Sequence, residues 1–393
     1  MQVFSVLSLA TLLILTGCSN HPPLSGTIRM DPEGPWKHKV YLIDPLTFDG
    51  IAMSYAGQVL DSAEIAADGS FAFATMPDSP EPRLLEIAIQ KQSERYANAL
   101  EHADPATDNY IPLIWQSGEV IDLTSDTRQF AGQVSMTDAS PENAAILQLR
   151  DLRIKAFESH LAGQAEATHD ADLLALADRL SAYQQPLMAF ARETPYLLPA
   201  LVAIRWSSPA GDYERIPEFI FSQCEKWQTQ NSGHPYVAEF CRHADRKSLP
   251  VLVGDQIPDF PLPMLSGDTI PLHQLMGPKL TILDLWASWC APCRKENREF
   301  LVPLWQTYHL QGLTIIGYAL DASARAWNGA IEKDGTSGFH QASHLQGDDA
   351  PLFDVLHIQT IPANFLIDSS GQVVAKNLHG EALVEFIESY LKQ

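Results

Sequence analysis

The sequence predicts a multidomain chain with an N-terminal antiparallel β-sandwich, a central helical segment and a C-terminal α/β unit. Three observations predict it. The chain has 393 residues, too many for one ordinary core. Its apolar residues change from short clusters between turns to helical spacing near Pro141. After a proline-rich stretch, Lys247 to Pro263, strand and helix patterns alternate, as in a sheet covered by helices.

Composition narrows the function classes. With 46% hydrophobic residues, the chain can build cores, which excludes wholesale disorder. The 26 Lys and Arg against 48 Asp and Glu leave a net charge of −22. Such a surface repels phosphate backbones, so nucleic acid is not an expected partner. Five Cys are far below the density of a small disulfide scaffold and read as thiols with separate tasks.

In chain order, the apolar run Val6 to Leu15 is too short to span a bilayer and suits the core of a secretory signal. It ends at Leu15-Thr16-Gly17-Cys18, which resembles the lipobox of bacterial lipoproteins, although Met1 to Ser5 carries no Lys or Arg. The resemblance implies a signal peptide over 1–17, cleaved before a lipid-carrying Cys18, and an anchor and linker over 18–23. Ser19 in second place is the pattern that permits sorting to an outer membrane. Acyl chains contribute about 0.8 kcal/mol per buried CH₂, so more than one can hold a soluble protein on a bilayer. The expected location is the cell envelope, facing the periplasm, where disulfides persist.

Residues 24–138 read as the sandwich. Leu24 to Ile28, Lys39 to Ile43, Ser70 to Phe73, Leu84 to Ile89 and Tyr110 to Leu123 are β-forming clusters separated by turns such as Asp68-Gly69. Val59 to Ser62 with Asp68 to Phe73 resembles a β-domain that precedes redox modules in many Gram-negative lipoproteins. No His, Cys or carboxylate cluster here has metal-ligand spacing, so no chemistry is assigned to it. Residues 139–250 read as helices packing between the two flanking domains. Ala145, Ile146, Leu149 and Leu152 recur at helical spacing, and Thr194-Pro195 and Ser207 to Gly211 mark breaks. Within 251–393, Thr281 to Trp286 is an apolar strand. A helix from Cys293, a strand at Leu313 to Leu320, a helix near Ala322 to Glu332, a strand at Asn364 to Ile367 and a helix at Glu381 to Leu391 follow.

The chemistry concentrates at Trp286-Ala287-Ser288-Trp289-Cys290-Ala291-Pro292-Cys293, a strand-to-helix junction. Two Cys spaced i, i+3 at a helix start can bring their sulfurs to bonding distance. Cys290 then lies where free N–H groups and the positive helix end stabilise a thiolate. Arg294, Lys295 and Arg298 add positive charge. Zinc needs four ligands, and no second CxxC or close HxxxH appears, so no metal is expected.

Together with Gly254-Asp255, Pro258-Asp259-Phe260 and Thr360 to Asp368, this motif resembles the thioredoxin superfamily. The particular likeness is to the extracytoplasmic, membrane-anchored thiol–disulfide oxidoreductases of the TlpA/ResA kind. The resemblance covers about Gly254 to Gln393 and implies a thioredoxin fold without a cofactor. It implies a Cys290 that attacks a client disulfide and a Cys293 that resolves the mixed disulfide. Asp284 matches the family's buried acid, a proton acceptor for Cys293 whose alternative is a solvated strand-end carboxylate. Ile361-Pro362 matches the family's cis-proline, with the Ile361 backbone free to pair with a client chain. Trp289 is expected to shield the disulfide. Arg298 stands where relatives commonly place a helix-kinking Pro, and Pro303 is the candidate to take over the kink.

The implied partners are client proteins and a membrane or periplasmic protein that donates or accepts electrons. Two other functions compete. A thiol peroxidase shares the fold, but that family needs Thr three residues and Pro seven residues before its reactive Cys. Those positions here are Ala287 and Leu283. An envelope scaffold with a vestigial CxxC is the other reading, opposed by intact Asp284, Cys290, Cys293 and Pro362.

Cys224 and Cys241 are left over, 17 residues apart across the turn Asn231-Ser232-Gly233. They can pair as a structural disulfide in an oxidising envelope, or remain two buried thiols behaving as small hydrophobes.

Overall fold

The computed structural model describes residues 22–163, 170–209, 211, 213 and 215–392. The expected signal peptide and lipid-carrying Cys18, with most of the expected 18–23 linker, lie outside the described residues.

The first part carries β1 (Leu24–Arg29), β2 (Trp36–Asp44), β3 (Gln58–Glu64), β4 (Ser70–Phe73), β5 (Arg83–Lys91), β6 (Tyr110–Trp115), β7 (Ile121–Asp126), the short α1 (Phe130–Gln133) and β8 (Ser135–Thr137). They form two four-stranded sheets, ordered β4-β1-β7-β8 and β3-β2-β5-β6. The sequence predicts an antiparallel sandwich, but the sheets are not wholly antiparallel: β1 and β7 pair in parallel from Leu24↔Ile121 to Arg29↔Asp126. Hairpins force antiparallel pairing, but a connection as long as the one from β1 to β7 permits either direction. The two strands approach so closely at Gly26 that a Cβ there would meet the Leu123 carbonyl oxygen at 1.7 Å.

Helices follow as α2 (Pro141–His160), α3 (Asp170–Glu193), α4 (Leu197–Ser207), α5 (Pro217–Asn231) and α6 (Pro235–Arg242). Ser140 caps α2 by accepting the Asn143 N–H at 3.4 Å, with Pro141 in the first turn. These helices do more than link domains. Every residue of α4 is buried, and a helix buried all round needs packing partners on every side. Leu201 and Trp206 of α4 share one continuous core with Leu24 and Leu123 of one sheet and Leu42 and Ile87 of the other. A polar seam runs through it. Arg153 pairs with Asp108 at 2.7 Å and lies 4.6 Å from the Trp206 ring centroid. Trp206 Nε1 donates to the Tyr110 hydroxyl at 3.0 Å.

Glu86 of β5 is 1% exposed and accepts the Ala52 N–H at 2.7 Å. Burial, with the neighbouring charge of Asp44, pushes its carboxyl from the ordinary 4.5 up to about 8. A group raised on folding favours the folded state below its unfolded value, and that contribution is lost as pH rises through the folded value. Stability should therefore decline between about pH 4.5 and 8. Glu86→Gln keeps the acceptor oxygen and should stabilise the protein by on the order of 2 kcal/mol at alkaline pH, with almost no effect in acid. Denaturant melts at both ends of that range check this, and an equal effect at both would refute it.

The C-terminal part holds β9 (Pro261–Pro263), β10 (Thr269–Pro271), α7 (Leu272–Leu275), β11 (Leu280–Trp286), α8 (Ala291–Glu296), α9 (Val302–Tyr308), β12 (Leu313–Ala319), α10 (Ala324–Asp334), β13 (His340–Ala342), α11 (Pro351–Leu356), β14 (Ala363–Asp368), β15 (Val373–Lys376) and α12 (Gly380–Leu391). The main sheet is ordered β13-β12-β11-β14-β15. β12 and β13 run parallel to β11, while β14 and β15 alternate in direction. All seven residues of β11 are buried, as a central strand covered on both faces requires.

The two parts meet through Glu218 of α5, which pairs with Lys376 at 2.8 Å and accepts the Val253 N–H at 3.1 Å. α3 also runs beside α8. Among the described residues, no helix is long and apolar enough to cross a membrane.

Candidate active site

β11 ends at Trp286 and the chain turns into α8 through Ala287 to Cys290. The turn is held from β12's far end: Asp321, 2% exposed, accepts the Ser288 N–H at 2.9 Å and also the Ser288 hydroxyl. Cys290 is the N-cap residue of α8, with Pro292 in the first turn, where a missing N–H costs the helix nothing. Cys290 and Cys293 are joined as a disulfide with a Cα–Cα separation of 5.3 Å. The Cys293 N–H points at Cys290 Sγ at 3.2 Å, a helix-start donor placed to favour a thiolate there. Cys290 is 6% and Cys293 3% exposed.

Asp284 sits inside the sheet, opposite Gly317 on β12 and Asn364 on β14, and is 4% exposed. It is not a solvated strand-end group. Burial pushes its carboxyl well above the ordinary range, and the charge of Glu296 pushes it the same way. The Ile361–Pro362 peptide is cis, and Ile361 packs against the core that contains both cysteines. Trp289 is 60% exposed, standing in solvent rather than closed over the disulfide.

The nearby cations are engaged. Arg294 clasps Asp334 of α10 through Nη2 at 2.8 Å and through Nε, and Arg298 reaches the same carboxylate at 2.8 Å. Lys295 lies 3.9 Å from Glu299. The positive charge expected beside Cys290 is therefore largely matched by carboxylates, leaving helix-start N–H groups as the thiolate's local support. At Arg298 the chain forms a π-helical turn, Asn297–Leu301, between α8 and α9. An inserted π turn bends a helix without needing a Pro, and Pro303 follows in the first turn of α9.

Sequence reasoning missed Glu296. It is 3% exposed and bonded to His379 Nδ1 at 2.9–3.0 Å. The available signal was its place three residues after Cys293, one helical turn along the same face. Elsewhere, Cys224 and Cys241 form a disulfide between α5 and α6 with a Cα–Cα distance of 5.2 Å. Among the described residues, no group of three or more His, Cys, Asp and Glu could hold a metal.

Comparison with known proteins gives this geometry a family. Residues 253–376 match the AhpC/TSA family. The thiol–disulfide oxidoreductase ResA of Bacillus thuringiensis subsp. konkukian is 30% identical over 141 residues, covering 36% of this chain and 78% of that protein. The chain belongs to the ResA-like thiol–disulfide oxidoreductases. ResA of Bacillus subtilis is 27% identical over 138 residues, 35% of this chain and 73% of its own length. A solved thiol–disulfide oxidoreductase from Bacteroides fragilis is 29% identical, covering 34% of this chain and 98% of that one at a TM-score of 0.32. The ResA-like part has the thioredoxin-like fold, and the enzyme is a thiol–disulfide oxidoreductase. The family match begins at residue 253, beyond the span from β1 to α6.

Proposed function

We propose that the protein is a lipid-anchored reductase of the cell envelope that exchanges disulfides with client proteins through Cys290 and Cys293. The observation that carries this reading is a bonded CxxC at a helix start above a buried acid. In the reduced form, the Cys290 thiolate attacks a client disulfide and releases one client sulfur. Asp284 takes the proton of Cys293, whose sulfur attacks Cys290 Sγ and expels the second. The client gains two electrons and two protons overall, and the protein is left with its disulfide. Trp289, Ile361 and Pro362 form the client-binding edge. Cys18 carries the lipid, placing the enzyme on a periplasm-facing membrane surface, with Ser19 favouring the outer membrane. A second envelope protein restores the dithiol.

In this reading residues 24–138 form a β-sandwich domain, 139–250 a helical segment and 251–393 the redox domain. The Cys224–Cys241 bridge is a structural staple.

Insulin reduction tests the assignment: the reduced protein should precipitate insulin chains catalytically and consume no peroxide. Inactivity on insulin would favour the scaffold reading, and peroxide consumption the peroxidase reading. Asp284→Asn should slow mixed-disulfide release about 10²-fold near neutral pH while leaving the fold intact. Because Asp284 is raised, release in the wild type should accelerate with pH as this carboxyl ionises, a limb the variant lacks. An unchanged pH–rate profile would leave Asp284 a purely structural role.

A further inference from the structure

Glu296 is a buried carboxylate, and a buried charge persists only where it is hydrogen-bonded or paired. Its partners are His379 Nδ1, at 3.0 and 2.9 Å from the two oxygens, and the Gly380 N–H at 3.4 Å. His379 is the N-cap residue of α12, 83 residues from Glu296. Its position is fixed from the sheet. The Asn364 side chain donates to the Leu378 carbonyl at 2.6 Å and accepts the Leu378 N–H at 3.1 Å. Asn364, 1% exposed, is the residue directly opposite Asp284 on β14. Strand register sets Asp284 opposite Asn364, hydrogen bonds lead from Asn364 to Leu378 beside His379 and from His379 to Glu296, and the charge of Glu296 reaches Asp284.

We propose that His379 is a positioning residue of the redox site: it fixes the Glu296 carboxylate beside Asp284 and so governs the resolving half of the exchange. This rests on the roles given above to Cys290, Cys293 and Asp284. In resolution the Cys293 proton moves to Asp284, the Cys293 sulfur bonds to Cys290 Sγ, and the client sulfur leaves with the electron pair of the broken mixed disulfide. A negative charge held near Asp284 makes it a stronger proton acceptor. His379 determines where that charge sits.

On α3, which runs beside α8, Asp178 is exposed and the Arg179 Nε is buried without a hydrogen-bond partner. On α8 and the π turn, Arg294 and Arg298 hold Asp334, and Lys295 lies by Glu299. On β14 Asp368 accepts from Ser370, on β15 Lys376 pairs with Glu218, and on α12 Glu381 and Glu385 are exposed while Glu388 pairs with Lys392.

The test uses the full chain, reduced and mixed with the aryl disulfide DTNB, which releases one coloured thiolate on attack by Cys290 and a second on resolution. Cys293→Ser identifies the second phase by abolishing it. His379→Phe should slow the second phase about tenfold relative to the first and move its pH midpoint down, because Asp284 becomes a weaker base. Glu296→Gln should move the midpoint the same way, the double variant should add nothing further, and His379→Gln, which can still donate an N–H, should recover most of the rate. An unmoved midpoint in folded His379→Phe overturns the proposal. Should that variant not fold, an unmoved midpoint in Glu296→Gln does so. A wild type without a first phase would instead overturn the reading of Cys290 itself, and this proposal with it.

Discussion

Cys293→Ser is expected to stop the exchange halfway, leaving client proteins attached to Cys290 as mixed disulfides, whereas Cys290→Ser should collect none. The asymmetry follows from the helix start. Cys290 occupies the N-cap position, and the Cys293 N–H at 3.2 Å supports negative charge on its sulfur. Cys293 lies one turn inside α8 and is the less exposed of the two, 3% against 6%. A client disulfide can therefore reach Cys290 first, and only the mixed disulfide presents Cys293 with a sulfur to attack. Both variants should lose catalytic insulin reduction by about 10³-fold or more, since neither half-reaction closes without the other thiol. Non-reducing gels after incubation with an oxidised client separate the two outcomes. Equal trapping by both variants, or trapping by neither, would reverse or remove the assigned roles.

The candidate redox site was legible in the sequence because its parts are local. A strand buried on both faces must be an apolar run, and Leu280–Trp286 is one, so the single acid within it announces itself. The CxxC follows within the same few residues. What escaped notice depends on distant pairing. Glu296 looks like an ordinary charge on a helix surface until His379 closes over it. Arg294 and Arg298 look like free cations until Asp334, 40 and 36 residues away, meets them. The parallel β1–β7 pair spans most of the first part and leaves no periodic trace. β3, at the edge of its sheet, buries only Ala63, so periodicity has nothing to register. The all-buried α4 shows why composition alone misplaces the helical segment: its apolar run is visible, but the helices α2, α3 and α5 packed around it, and the sheet residues that complete its core, are not.

Removing the second disulfide should separate stability from catalysis. The bond joins α5 to α6 at Cys224 and Cys241 and closes a loop with a sequence separation of 17. α6 is a clamp on the loop after β2. Phe240 packs against Phe48 with ring centroids 5.1 Å apart, Glu239 accepts the Phe48 N–H at 2.5 Å, and His243 meets Asp49 at 2.9 Å. Without the bridge, the unfolded chain regains the loop's freedom, worth about 3 kcal/mol in the chain-entropy model. For a folding unit of this size, that corresponds to a fall of roughly 6–12 °C in melting temperature. The loss should fall on the part built from β1 to α6, because its core is distinct from the cores around β11. Cys224→Ser, or the pair Cys224→Ala and Cys241→Ala, should thus lower the melting temperature of that part and leave insulin reduction close to the wild-type rate. The double variant also avoids an unpaired thiol in a largely buried site. Loss of insulin reduction without any change in melting would mean instead that this pair passes electrons to Cys290, and the staple would have to be read as a second redox centre.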